Sequence, residues 1–115
     1  MTRRFHIDVY DRDVVVAVTP NLPKTVHKLF PEVSEKEVAA AQAVCVSGSE
    51  RRAYGLIFDT EYLSCGLVAH EVFHLTVRLM SDLGVKYSVD RDEHAALLNE
   101  YLNRRVLQIL KPRKI

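Results

Sequence analysis

The chain has few cysteines, almost no excess charge and no long apolar run. Cys45 and Cys65 are its two cysteines in 115 residues. Both sit in apolar surroundings, which reads as buried free thiols rather than a disulfide or a metal role. The formal net charge is +1, so no general pull toward nucleic acid or a membrane surface is expected. No stretch is long and apolar enough to read as a transmembrane helix. The basic start Met1-Thr2-Arg3-Arg4 is not followed by a secretory apolar core. A soluble, cytoplasmic protein is therefore expected. Repeats, low-complexity segments and linkers are also missing, and the length suits one domain over residues 1–115.

What is present is a set of short strands followed by two long helices. Phe5 to Tyr10 alternates, with Phe5, Ile7 and Val9 on one side, and predicts a half-buried strand. Asp11-Arg12-Asp13 reads as a polar turn, and the β-branched run Val14 to Thr19 as a paired strand. Val26, Leu29 and Phe30 have helical spacing over Lys24 to Phe30, which Pro31 ends. Ser34 and Glu37 form a capping-box pattern for a second short helix starting at Glu35. Val44-Cys45-Val46 and Ala53 to Asp59 read as a second hairpin. Gly55 within it marks a bulge or a close backbone approach. The main helix is predicted from about Tyr62 to Leu83, with Gly84 as its stop. The last begins near Asp90 and runs to about Leu110, with Ala95, Leu98, Leu102, Val106 and Ile109 spaced to pack on the first. Strands first and long helices last imply an α+β fold, with the helices on one face of a small, mostly antiparallel sheet.

The main helix carries His70-Glu71-Val72-Phe73-His74, which reads H-E-x-x-H. Residues four apart share a helix face, so His70 and His74 can grip one small cation. Glu71 lies about 100° around the helix from His70. That suits it to a water on the metal better than to the metal itself. A hydrolytic zinc site takes three protein ligands and leaves one place for water. Glu93 is the expected third ligand, with eighteen residues between it and His74. Asp90, Asp92 and His94 compete for that role. Asp90 is also a candidate N-cap.

This motif with a later helical Glu93 resembles the zincin metallopeptidases whose third ligand is a glutamate. The layout is also similar to small zincin-like proteins encoded by bacteriophages. The resemblance covers roughly residues 53–110. It implies a zinc peptidase in which Glu71 is the general base and an extended peptide or protein substrate lies along a strand beside the site. The strand expected in that role is Ala53 to Asp59. Tyr87 is the expected oxyanion donor, with His94 as second choice. Relatives often place an aspartate four residues after the third ligand. Leu97 stands there in this chain, which leaves Glu100 as a candidate to support a histidine.

The competing readings are a catalytically silent zincin-like module that binds metal or a protein partner, and a nucleic-acid-binding protein. The last has only scattered arginines such as Arg51 and Arg52 behind it, and acidic neighbours balance them.

Overall fold

The first hairpin forms where β-branched residues meet an alternating strand. The computed structural model describes residues 1–48, 52–85, 88, 92–113 and 115. β1 (Thr2–Ile7) and β2 (Arg12–Thr19) pair antiparallel, with Phe5 opposite Val14 and Ile7 opposite Arg12. β1 ends earlier than the alternation predicts. Phe5 and Ile7 are buried, but Val9 is 87% exposed. The chain reverses over residues 8–11 because Tyr10 N–H donates to the Ile7 carbonyl, and Asp11 takes φ +51°. A short polar side chain tolerates that left-handed conformation.

β3 (Ala43–Ser47) and β4 (Ala53–Asp59) form the second antiparallel pair. The strand order is β1-β2-β4-β3, and β2 runs parallel to β4. The sheet is therefore mostly antiparallel, and the fold is α+β. β4 is internal, while β1 and β3 are the edges. Register runs unbroken through Gly55 on both sides. Gly55 marks a close approach, because a Cβ there would lie 2.5 Å from the Phe30 ring.

The sheet is covered on both faces. Val14, Val15, Val16 and Ala17 are all buried, and a strand apolar on both sides needs two covers. Side chains alternate along β4. Tyr54, Leu56 and Phe58 join Val14 and Val16 beneath the long helices α2 (Cys65–Asp82) and α3 (Asp92–Leu110). Ile57 and Ala17 face the other way, onto Leu22, Val26 and Phe30. Those residues belong to α1 (Leu22–Leu29) and the turn that ends it. The two long helices share one face as expected, and α1 takes the other. The capping box at Ser34 and Glu37 is present, but it starts only one 3₁₀ turn, Glu35–Val38.

α2 and α3 pack antiparallel. Gly66 N–H, at the start of α2, donates to the Ile115 carbonyl beyond the end of α3. Midway, the Thr76 hydroxyl donates to Asn99 Oδ1 at 2.9 Å and fixes their register. Gly84, at φ +74°, stops α2, and the amides of Gly84 and Val85 donate to the carbonyls of Ser81 and Met80.

Candidate metal centre

α2 starts at Cys65, later than its apolar run suggests. Asp59 takes the preceding residues into a turn by accepting from Glu61 N–H at 2.9 Å. Ser64 then caps the helix, its hydroxyl accepting from Leu67 N–H at 3.0 Å. From that start, Val68, Val72, Leu75 and Leu79 face the sheet and are fully buried. His70 and His74 are left on the outer surface, and Glu71 turns inward at the helix flank.

The donor atoms converge. His70 Nε2 and His74 Nε2 are within hydrogen-bond distance at 3.2 Å, with the rings 4.9 Å apart in an edge-on arrangement. Zinc–nitrogen bonds of about 2.05 Å make a tetrahedron with an edge of about 3.4 Å. The nitrogens therefore stand close to the separation one shared cation requires. Glu71 Oε2 lies 3.7 Å from His70 Nε2, and the residue is only 5% exposed. A carboxylate so nearly buried is costly without a counter-charge. Its ion-pair contact among the described residues is His70, which carries charge only when protonated. A cation beside it would supply that counter-charge. Among the described residues, His70, Glu71 and His74 are the group of three or more His, Cys, Asp or Glu whose donors come within 4.8 Å of one another. This donor set fits a divalent metal ion.

Glu93 does not join them. It is exposed, in the first turn of α3. Counting from the Thr76–Asn99 contact, Glu93 is six residues toward one end of the pair and His74 two residues toward the other. At about 1.5 Å per residue, that is an axial offset of about 12 Å. The side is also wrong. Thr76 marks the flank of α2 that meets α3. Glu71 lies about 140° around the helix from it, on the flank beside β3. Asp92 and His94 start the same helix as Glu93, and His94 Nε2 is hydrogen-bonded to the Tyr10 hydroxyl at 3.3 Å. Glu100 is held by Arg104 at 2.6 Å. Tyr87 and Asp90 lie outside the described residues.

What adjoins the donor group is the β3 side of the molecule. A groove of about 550 Å³ is lined by Gln42, Ala43, Tyr62 and Ser64 together with His70 and Glu71. The expectation that Ala53 to Asp59 flanks the site as a substrate strand is corrected by the strand order. β4 is paired on both sides, and among the described residues the edge strand here is β3. Gln42, Tyr62 and Ser64 have no periodic signature, because they sit in turns. Only Ser64 carries a local signal, as a capping residue before an apolar run.

Neither cysteine belongs to the donor group. Cys45 is buried and free, and burial pushes its thiol up to about 12. Cys65 is free and half-buried. No helix among the described residues is long and apolar enough to cross a membrane. The chain matches no protein-family model, no curated protein and no solved structure.

Proposed function

We propose that the protein is a metal-dependent hydrolase, with zinc as the metal and a peptide or protein amide as the substrate. The observation that carries this reading is the 3.2 Å approach of the two Nε2 atoms beside a nearly buried carboxylate. His70 and His74 would hold the ion. A zinc ion so held supplies Lewis acidity and lowers the pKa of water to about 7. Glu71 acts on the reacting water. Its carboxylate accepts the proton as the attack on the carbonyl begins and returns it to the leaving amine. Glu71 lies 3.7 Å from His70 and is nearly buried, which would keep its carboxylate beside an ion held there.

The edge position of β3 supports a peptide as substrate. An extended chain can add to a sheet edge through main-chain hydrogen bonds, and Ala43, where β3 begins, lines the same groove as Glu71. Tyr62 lines the same groove and offers a hydroxyl for a developing oxyanion, while Tyr87 lies outside the described residues.

A second reading is favoured by one specific observation. Glu71 is itself the third member of the donor group, and Glu93 is not. If Glu71 ligates the ion, no base remains, and the site is a metal-binding module without hydrolysis.

Glu71→Gln separates the two. As a base, Glu71 is needed for turnover but not for binding. The variant then keeps bound zinc while hydrolysis of a casein or peptide-library substrate falls by about 100-fold or more. Loss of zinc with Glu71→Gln supports the second reading. Unchanged hydrolysis overturns the first.

A further inference from the structure

At the opposite edge of the sheet, a second groove lies between the β1–β2 turn and the first turns of α3, with a volume of about 410 Å³. Its floor is apolar, because Ile7 and Leu98 are 4% and 6% exposed. Its walls include the rings of Tyr10 and Tyr101, and Leu97 at the rim is 57% exposed. A concave apolar site of this size, with a few polar groups at its mouth, is of the kind that holds small molecules.

The polar groups decide what kind. Two histidines border the groove, but they do not make a metal site. His6 Nδ1 is bound by Asp13 at 2.7 Å and its Nε2 by Asp11 at 3.3 Å. His94 Nε2 is held by Tyr10. Asp8 also stands at the mouth, its side chain 95% exposed and in a long 3.9 Å ion-pair contact with His6. Among the described residues, Asp11 and Asp13 flank the same turn and Glu93 lies in the first turn of α3. Two of the described arginines near the turn are already engaged. The Arg12 guanidinium donates to the Tyr10 carbonyl at 2.7 Å, and Arg52 pairs with Asp11 at 3.1 Å. Aromatic faces beside an acidic mouth attract cations, since the face of a phenol ring is the negative end of its quadrupole.

We propose that this groove binds a small organic ammonium compound with an apolar or aromatic body. The body lies on Ile7, Leu98 and Leu97. The ammonium group sits between the rings of Tyr10 and Tyr101 and the Asp8 carboxylate. The site is independent of the metal centre and does not rest on the proposed hydrolase activity.

The test is titration of the full chain with benzyltrimethylammonium, followed by amide shifts in ¹H–¹⁵N NMR spectra. Benzyl alcohol and benzoate serve as neutral and anionic controls. The expected result is saturable shifts over Ile7 to Tyr10 and His94 to Tyr101. Asp8→Asn and Tyr101→Ala each weaken binding by about threefold or more. Both side chains reach solvent, so neither variant threatens the core. His70→Ala leaves the binding unchanged. Benzoate binding as tightly as the ammonium compound overturns the charge assignment. Shifts that never saturate, or that persist equally in both groove variants, overturn the site.

Discussion

The two edges of the sheet carry histidines with opposite fates. Beside β3, the Nε2 atoms of His70 and His74 face each other at 3.2 Å, with a nearly buried carboxylate next to them. Beside β1, His6 and His94 border one groove, but each is held by a different partner, Asp13 in one case and Tyr10 in the other. Imidazoles whose nitrogens converge on one another can share a cation. Those that hydrogen bonds hold apart become wall residues. The composition is similar at both edges, with two histidines and nearby acids, so geometry makes the difference.

The largest contrast should appear on adding metal. At a free zinc concentration 100 times the dissociation constant, binding to the native state alone adds about 2.7 kcal/mol of stability. Urea unfolding should show this gain in the parent chain and lose it in His74→Ala. His94→Ala should retain it. A gain that disappears with His94→Ala would dissolve the distinction between the edges.

The next effect concerns the contact between the two long helices. Thr76→Val removes the hydrogen bond to Asn99. It should cost about 1 kcal/mol in urea unfolding. Zinc affinity should stay within about twofold, because that contact lies on the α3 side of α2. Glu93→Gln sharpens the same point. A lost ligand would be expected to weaken zinc binding by at least about tenfold. The register of α3 predicts no change, measured by competition with a chromogenic chelator.

The smallest effect is a pH dependence at the β1 edge. The hydrogen bond to Asp13 is the main cause that holds His6 above 6.5, with the charges of Asp13, Asp11 and Asp8 adding to it and burial opposing. A raised folded-state pKa means the protonated form is favoured in the folded protein. The stabilisation is fully present below the unfolded value and is lost as pH rises through the folded one. His6→Gln should therefore cost more stability at about pH 5.5 than at about pH 8.5 in paired urea titrations. An equal cost at both would show that the Asp13 contact does not depend on charge.

Much of the fold is legible along the chain because it rests on local periodicity. Ala95, Leu98, Leu102 and Val106 are all buried, as their helical spacing requires. The last turn is rotated slightly, so that Leu110 is buried and Ile109 only partly so. His70 and His74 were legible for the same reason, since four residues of helix fix their relation. What spacing cannot give is the arrangement of separate segments. Eighteen residues between His74 and Glu93 say nothing of how far α3 slides along α2, and the Thr76–Asn99 contact decides that. Nor does an apolar run announce whether it is internal. Ala53 to Asp59 reads as a strand beside the helix, but its insertion between β2 and β3 depends on a crossover of more than thirty residues. The β1-edge groove was invisible for a related reason. Tyr10 and His94, its hydrogen-bonded pair, are 84 positions apart.

The most direct test of the account is the zinc content of the purified chain after dialysis against zinc and then metal-free buffer, beside His70→Ala prepared identically. The account predicts about one equivalent in the parent chain and background in the variant. Equal content in the two, or background in both, would contradict it.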